Sequence, residues 1–227
     1  MSNRCVFCKK NRFLLNQKAG LDVQQAVIYE NERICITPDL APLTSGHLLI
    51  LSQDHFNSYA DAPVCVINDL LYVIRYLSDT IFPNSEITWF EHGAVFPDTA
   101  GASVNHAHLH IIPHALNLEA DIESDHMYCK KTPFSINALS DFASAQPYLW
   151  IGNRQNSFIY SVNELPRQYL RKKAASLLDC KHYDWQQTYL SEYSRKAYKE
   201  TIHLYTEERP VLHGYSSYNQ LSADFVP

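Results

Sequence analysis

The chain has 227 residues, of which 46% are hydrophobic and 19% are charged. This balance is typical of a folded globular protein and excludes a wholly disordered one. The formal net charge of −5 argues against a protein that binds nucleic acid mainly through charge, although it leaves room for a single bound nucleotide.

The hydrophobic residues are spread along the chain. No apolar run approaches the roughly 20 residues that a membrane-spanning helix needs, so we expect no membrane partner. Residues 1–5 contain no apolar signal core, which leads us to expect a cytoplasmic protein. The six cysteines need not form a disulfide framework in a chain of this length and fit a reducing compartment.

The first half of the chain alternates short apolar runs with turn signals and contains one long amphipathic segment. Residues 61–82 have apolar side chains at three- and four-residue steps, which predicts a helix with Asp61 as its N-cap and Pro63 in its first turn. The strands predicted in this half span residues 25–30, 33–37, 47–52, 86–91 and 104–112. We therefore predict an α+β fold with one long helix.

The second half has weaker signals. Residues 117–144 are polar and irregular, while residues 148–151 and 158–162 resemble the two arms of a hairpin. Helices are predicted over residues 165–178 and 183–205. We expect a core at residues 1–115 and a mixed C-terminal extension at residues 116–227.

The extension is expected to pack on the core. Whether it only adds packing, or also closes over the active site or binds the second half of a larger substrate, stays open. Its tyrosine-rich segment, residues 183–205, could be a helical face for dimer contacts.

Three histidines alternate with aliphatic residues at His106, His108 and His110. On a strand such residues share one face, with neighbouring side chains about 6.5–7 Å apart, and the aliphatic residues between them face the core. Because imidazole can act as a ligand, a nucleophile or an acid near neutral pH, this pattern indicates either a metal site or phosphoryl chemistry.

Two further features lie near this strand. Ser103 follows a glycine and an alanine, whose small size lets backbone amides approach a ligand, and its hydroxyl can donate to a phosphoryl oxygen. His47 follows Gly46 at the start of another predicted strand. Spacing alone leaves open whether His47 is functional or merely caps that strand.

Cys5 and Cys8 form a Cys-x-x-Cys pair, which fits a zinc knuckle, a redox pair or chance. A redox pair normally opens a helix after a strand, whereas this pair stands at the N-terminus with no strand before it. No second such pair exists, so a zinc ion would need two other ligands, and histidines are abundant. These considerations favour metal binding.

Together these residues resemble the histidine triad (HIT) superfamily of nucleotide hydrolases and transferases. Residues 106–112 match its signature of three histidines separated by apolar residues and followed by two more. Residues 101–104 and 39–55 also look like the corresponding family segments, and residues 5–9 resemble the zinc-bearing branch. The resemblance covers about residues 1–115 and implies an antiparallel HIT-like sheet.

The resemblance also implies roles for individual residues. His108 would attack the α-phosphorus and form a nucleotidyl-histidine intermediate, which water or another acceptor then resolves. His110 and Ser103 would bind the phosphoryl oxygens, and His47 would orient the nucleophile or move a proton. Asp39 matches the acid that binds the ribose hydroxyls.

Zinc-bearing members of the superfamily suggest a complete ligand set for a structural zinc ion. The ligands in this chain would be Cys5, Cys8, His55 and His106. Such a Cys2His2 set fills all four positions of a tetrahedral zinc site and leaves no open position for chemistry.

The chain departs from the family pattern at Glu91, where many members carry an amide side chain. A carboxylate near a phosphate would be repelled unless it is protonated or paired, so Glu91 would either contact substrate in the neutral form or orient a histidine. In the extension, Arg171 is a candidate partner for substrate phosphate, together with Arg154 and Arg167.

The resulting hypothesis is a nucleotide hydrolase or nucleotidyl transferase that acts at the α-phosphate. Dinucleoside polyphosphates and nucleoside phosphoramidates are the candidate substrates. One alternative is a nucleotide-binding protein without turnover, against which the intact triad argues. Another is a DNA-deadenylating repair enzyme, against which the acidic net charge argues.

Overall fold

A computed structural model describes residues 5–93, 102–143 and 146–208. In these residues eight strands form a single sheet in the order β1-β2-β3-β5-β4-β7-β8-β6, and every neighbouring pair is antiparallel. The strands are β1 (Tyr29–Glu30), β2 (Ile34–Pro38), β3 (Leu48–Ser52), β4 (Thr88–Gly93), β5 (His108–Ile112), β6 (Tyr128–Pro133), β7 (Tyr148–Asn153) and β8 (Ser157–Val162).

Helices cover both faces of this sheet. They are α1 (Leu14–Lys18), α2 (Val64–Tyr76), α3 (Leu118–Asp125), α4 (Ile136–Ser140), α5 (Tyr169–Leu177), α6 (Trp185–Thr188) and α7 (Glu192–His203). Helix α2 continues into a π-helical turn at Leu77–Ile81, and α7 continues into another at Leu204–Glu208. Among the helices of the described residues, none has the length and apolar character needed to span a membrane.

The sheet separates two apolar layers. Leu109 and Ile111 of β5 point to one face, where they pack in the same cluster as Leu70 and Ile74 of α2. This arrangement follows from the two-residue period of the strand and the amphipathic pattern of the helix. The opposite face of β5 therefore carries the alternate residues, which include His108 and His110.

The C-terminal half extends the same sheet. Strand β4 pairs with β7 along its whole length, from Thr88 opposite Asn153 to Gly93 opposite Tyr148. The α+β prediction with an antiparallel sheet is confirmed, and α2 is the long helix predicted in the first half. The division at residue 115 stays a prediction, and three strands from beyond that residue join the sheet.

Several predicted boundaries in the first half shift. The strand predicted at residues 104–112 begins at His108, because the amide of Ala107 donates to the Phe56 carbonyl instead of to a neighbouring strand. The strand predicted at residues 25–30 is reduced to β1, preceded by a short 3-10 turn. Helix α2 begins after Pro63, which is its N-cap in place of Asp61.

The second half contains more regular structure than its sequence suggests. Residues 117–144 hold α3, β6 and α4, and each of the two helices is capped by a side chain, from Asn117 and from Ser135. The segment predicted as one helix at residues 183–205 splits into α6 and α7. The split occurs at Ser191, whose hydroxyl accepts a hydrogen bond from the Ser194 amide and caps α7.

The tyrosines near the C-terminus mainly cover the first half of the chain. Tyr198 accepts a hydrogen bond from Asn16, and Tyr205 donates to the Gly46 carbonyl. Both are almost completely buried. These two tyrosines therefore make intramolecular contacts. Tyr183 and Tyr193 of the same stretch are exposed, and a dimer contact there stays a prediction.

Candidate active site

A cavity opens on the sheet face opposite α2. It encloses about 750 Å³, including its open mouth, and three parts of the chain form its wall. The N-terminal segment contributes Val6, Phe7, Arg12, Phe13, Leu15 and Asn16. The sheet and the segment before β5 contribute Thr37, Pro38, Asp39, Leu40, Leu49, Leu51, His92, Ser103, Val104, His108 and His110. The C-terminal half contributes Gln168, Arg171 and Trp185.

His108 is held in one tautomer by a backbone carbonyl of the same segment. Its Nδ1 lies 2.6 Å from the His106 carbonyl oxygen, and since a carbonyl only accepts hydrogen bonds, Nδ1 must carry the proton. The neutral ring therefore has its lone pair on Nε2. Burial lowers the pKa of His108, opposed by the hydrogen bond to the His106 carbonyl, so the ring is neutral and nucleophilic near neutral pH.

His47 and His110 form a chain of directed hydrogen bonds. The Leu43 amide donates to Nδ1 of His47 at 3.1 Å, so the proton of neutral His47 is on Nε2. That Nε2 lies 2.9 Å from Nδ1 of His110, to which it donates. The proton of neutral His110 is consequently on its Nε2, the remaining ring nitrogen.

Burial keeps both of these rings neutral. It lowers the pKa of His47 to about 4 despite the nearby Asp39 carboxylate. It also lowers the pKa of His110 well below the ordinary value, with a further contribution from His47. His47 lies behind His110, to which it is hydrogen-bonded, and is absent from the cavity wall.

Asp39 lies beside this pair of histidines and is almost completely buried. One of its carboxylate oxygens accepts from the Ala41 amide at 2.8 Å, and the other accepts from Arg171 at 2.7 Å. Burial raises the pKa of Asp39, but the charge of Arg171 and the hydrogen bonds from Arg171 and the Ala41 amide outweigh it, so the pKa is lower than usual. The carboxylate is therefore ionised at neutral pH.

A second group of side chains meets beside the triad. Cys5, Cys8, His55 and His106 present one ligand atom each, and these atoms all lie within 4.8 Å of one another. Sγ of Cys5 is 3.5 Å from Nδ1 of His106, and Sγ of Cys8 is 3.4 Å from Nδ1 of His55. A tetrahedral zinc ion with ordinary bond lengths would place sulfur and nitrogen ligands about 3.5 Å apart, so the four residues fit that metal.

His106 is oriented for this group. Its Nε2 lies 2.8 Å from the Ser52 carbonyl oxygen and so donates to it, which leaves the lone pair of the neutral ring on Nδ1. Nδ1 is the atom that faces the cysteines. His106 consequently belongs to the candidate metal cluster and is absent from the cavity wall, where His108 and His110 lie.

Comparison with known proteins supports the pattern of these residues. The model of the HIT domain matches residues 21–116. This chain contains a HIT domain. The match places these residues in the histidine triad superfamily, as the sequence predicted.

Curated relatives cover about half of this chain. An uncharacterized HIT-like protein of Methanocaldococcus jannaschii is 27% identical over 111 residues, which are 48% of this chain and 78% of that protein. The protein Hit of Bacillus subtilis is 28% identical, and the match covers 49% of this chain and 72% of that protein. An adenylylsulfatase of Arabidopsis thaliana is 26% identical, and the match covers 50% of this chain and 53% of that protein.

Solved structures are similar at lower identity. A zinc-bound histidine triad family protein from Mycobacterium smegmatis is 22% identical with a TM-score of 0.38. The match covers 52% of this chain and 79% of that protein. A hypothetical histidine triad nucleotide-binding protein from Sulfolobus tokodaii is 18% identical with a TM-score of 0.35. The match covers 90% of this chain and 95% of that protein. The family assignment depends on the sequence match to the HIT domain.

The segment after the HIT domain supplies part of the cavity wall. Arg171 of α5 lines the cavity, as expected for a candidate phosphate partner, but the anion that it contacts is Asp39. Its Nε also donates to the Tyr183 carbonyl at 2.6 Å, and its second terminal nitrogen donates to the Ala41 carbonyl. These bonds use three of its five N–H groups.

Another contact from this segment reaches Ser103. The indole N–H of Trp185 donates to the Ser103 hydroxyl oxygen at 2.8 Å. Ser103 lies in the cavity wall with His108 and His110, where the sequence expected it. Gly101, whose small size was expected to let backbone amides approach a ligand, is outside the described residues.

His92 is a site residue that the sequence analysis missed. It lines the cavity, and its Nε2 accepts a hydrogen bond from the Leu170 amide at 2.9 Å. Burial lowers its pKa to about 3, so it is neutral with its proton on Nδ1. Residues 90 and 92 share a face of β4, and Phe90 lies opposite His110, so His92 is on the histidine face of the sheet; this follows only once the register of β4 against β5 is known.

The expectation that Glu91 contacts substrate or orients a histidine is wrong. Glu91 alternates with His92 and points to the other side of the sheet. There its carboxylate accepts from the Tyr59 amide at 2.8 Å and from the Tyr148 hydroxyl at 2.7 Å. Burial raises the pKa of Glu91 to about 8.

Arg154 also lies away from the cavity. It donates to the carbonyl oxygens of Ser78 and Phe82, near the end of the α2 segment. Its predicted role as a phosphate partner is therefore wrong. Arg167 is exposed and is not part of the cavity wall.

Proposed function

We propose that this protein is an enzyme that hydrolyses or transfers nucleotides at the α-phosphorus through a covalent intermediate on His108. The observation that carries the proposal is the 2.6 Å hydrogen bond from Nδ1 of His108 to the His106 carbonyl. It leaves the Nε2 of a buried neutral imidazole unprotonated at the wall of an open cavity that is lined by both polar and apolar side chains.

The reaction proceeds in two displacements at phosphorus. Nε2 of His108 attacks the α-phosphorus, a P–N bond forms, and the bond to the leaving group breaks with its electron pair on that group. Water or another acceptor then attacks the same phosphorus and gives up its proton to the departed leaving group or to solvent. The P–N bond breaks with its electron pair on Nε2, which returns the neutral imidazole. Each displacement passes through a transition state with increased negative charge on the phosphoryl oxygens.

His110 and Ser103 stabilise that charge in this proposal. The chain of bonds through His47 leaves a proton on Nε2 of His110, the ring nitrogen not bonded to His47. Ser103 provides a hydroxyl donor in the same cavity. Removal of one such preorganised donor typically lowers kcat by about 10²–10³-fold.

The remaining wall suits a nucleoside. Asp39 is ionised and buried, so its free lone pairs can accept from ribose hydroxyls. Leu49, Leu51 and Phe13 provide an apolar surface for a base. We propose dinucleoside polyphosphates and nucleoside phosphoramidates as candidate substrates, and add adenylyl sulfate because one relative is named an adenylylsulfatase.

We also propose that Cys5, Cys8, His55 and His106 hold a structural zinc ion. The support is the donor set, its spacing and the free Nδ1 of His106. A zinc ion with four protein ligands would have no open position and would supply no chemistry to the reaction. It would fix the N-terminal segment, including Phe7, whose ring packs edge-on against the His108 ring at 5.2 Å between centroids.

A substrate panel tests the proposed activity. The panel contains diadenosine polyphosphates with and without inorganic phosphate, an AMP–lysine amidate, adenylyl sulfate and adenylated DNA. Turnover of any of the small-molecule members that is lost in His108→Ala supports the proposal. Tight nucleotide binding with no turnover would instead support a binding protein, and turnover of adenylated DNA alone would support a repair enzyme.

A further inference from the structure

We infer that Trp185 is a positioning residue for Ser103, so that the segment after the HIT domain completes the phosphate-binding part of the active site. This inference rests on the proposed function and adds to it a residue outside residues 21–116. Trp185 would act through its hydrogen bond to Ser103, without bonding the phosphate itself.

The direction of this hydrogen bond is fixed by chemistry. An indole N–H can only donate, so the 2.8 Å contact must run from Nε1 of Trp185 to the oxygen of Ser103. The bond uses one lone pair of the serine oxygen and leaves the serine proton unused. In the part of the chain that the structure describes, no hydrogen bond from the Ser103 hydroxyl is found, so this proton is available to substrate.

The indole is held by a network of its own. The backbone amide of Trp185 donates to Oε1 of Gln168 at 3.2 Å, and the amide nitrogen of the Gln168 side chain donates to Asp184 at 3.0 Å. Asp184 in turn caps α6 by accepting from the Gln186 amide at 3.1 Å. Gln168 is buried at the start of α5, the helix that also carries Arg171.

This network gives the Ser103 hydroxyl a defined orientation. A serine hydroxyl rotates freely unless one of its lone pairs is engaged, and an N–H donor on that lone pair restricts the directions in which the proton can point. Donation to the oxygen also polarises the O–H bond and strengthens its own donation. Trp185 therefore prepares Ser103 to stabilise charge on the phosphoryl oxygen, where Ser103 faces the same cavity as His108.

A double-mutant cycle tests the inference on the panel member that the wild-type protein turns over. Trp185→Phe removes the N–H and keeps an aromatic ring, and we expect kcat to fall about tenfold with a smaller change in KM. Ser103→Ala should lower kcat about 10²-fold. In Trp185→Phe/Ser103→Ala, kcat should match that of Ser103→Ala within about twofold, because the bond is already absent.

Trp150→Phe is the matched control. Nε1 of Trp150 donates to the Ser157 hydroxyl at the same distance of 2.8 Å, but on the β7–β8 hairpin outside the cavity. This variant should lose thermal stability and keep the wild-type kcat. A general effect of losing a tryptophan–serine bond would lower kcat in both tryptophan variants and would contradict the inference.

The outcomes separate the two claims. If the wild-type protein turns over a substrate but Trp185→Phe keeps its kcat, or lowers kcat equally with and without Ser103, the inference fails and the proposed function stands. If Ser103→Ala keeps the wild-type kcat, the inference fails in the same way. If the wild-type protein turns over no panel member, the proposed function fails and the inference fails with it.

Discussion

Arg171 donates to the Asp39 carboxylate at 2.7 Å and joins the segment after the HIT domain to the ribose-binding candidate inside it. Both side chains are almost completely buried in the wall of the cavity, so both charges are largely removed from bulk water. Breaking such a pair leaves an uncompensated buried charge, which costs more than the intact pair contributes. The C-terminal half of this chain thus supplies the positive charge that balances Asp39 in the candidate site.

Arg171→Met should lower the free energy of unfolding by about 3–5 kcal/mol near pH 7, because it leaves the Asp39 carboxylate alone in the interior. Asp39 is ionised there since Arg171 lowers its pKa, and without Arg171 burial raises that pKa. The loss should therefore shrink as pH falls and Asp39 takes up a proton. Urea unfolding between pH 4 and pH 8 measures both effects.

Arg154→Met provides the control for this experiment. Arg154 donates to carbonyl oxygens, and no carboxylate is bonded to it among the described residues. Its loss of stability should be the same at every pH. If Arg171→Met also shows a loss that does not depend on pH, the pairing with Asp39 does not control the charge of that carboxylate.

The hydrogen bonds through His47 predict the position of two ring protons. His47 and His110 should both be neutral near pH 7 and should both carry their proton on Nε2, because the Leu43 amide occupies Nδ1 of His47. Long-range ¹H–¹⁵N spectra of the imidazole nitrogens report these tautomers directly. A proton on Nδ1 of His47, or a doubly protonated ring at pH 7, would contradict the account.

Glu91, which lies outside the cavity, should make the stability of the protein depend on pH. Burial raises its pKa from 4.5 to about 8, so the folded protein holds a proton that the unfolded chain releases. The contribution of Glu91 to stability is full below pH 4.5 and is lost as pH rises to about 8, a loss on the order of a few kcal/mol. Urea unfolding curves at several pH values measure how the free energy of unfolding falls over this range.

Glu91→Gln isolates this effect from the other titrating groups. Glutamine keeps an oxygen that accepts from Tyr59 or Tyr148 but has no proton to lose. The difference in unfolding free energy between the wild-type protein and Glu91→Gln should change steadily from pH 4.5 to pH 8. A difference that is constant over this range would show that Glu91 does not titrate as its burial implies.

Zinc analysis tests the cluster beside the triad. We expect about one zinc ion per chain in the purified protein, loss of that ion in Cys8→Ser, and a lower Tm for this variant than for the wild-type protein. Cys65→Ser is the control, since Cys65 is exposed and lies outside the cluster. Equal zinc content in the two variants, or none in the wild-type protein, would rule out the proposed site.

The sequence was sufficient for the features that depend on local periodicity. The alternation of His108 and His110 with Leu109 predicted which residues face the core, and α2 was evident from its apolar spacing. The register of β4 against β5 was not evident, and a shift of one residue exchanges the faces of a strand. That is why Glu91 was placed in the site and His92 was missed.

Contacts between distant segments were also beyond the sequence. Arg171 was selected only as a cation, and nothing in its neighbourhood along the chain indicates Asp39, which lies 132 positions away. Trp185 carried no signal at all, because its function depends on a single hydrogen bond to Ser103 made by a short helix. Such pairings are set by tertiary packing, and hydrophobic patterns do not encode them.

The most direct test of the account is to trap the intermediate on His108. Quenching with alkali and denaturant during turnover of a panel substrate, followed by intact-mass and peptide mass spectrometry at neutral to alkaline pH, should find a nucleotidyl group attached to His108. His108→Ala should show no adduct and a loss of several orders of magnitude in kcat with a near wild-type melting curve. An adduct on another residue, or turnover that persists in a folded His108→Ala protein, would contradict the account.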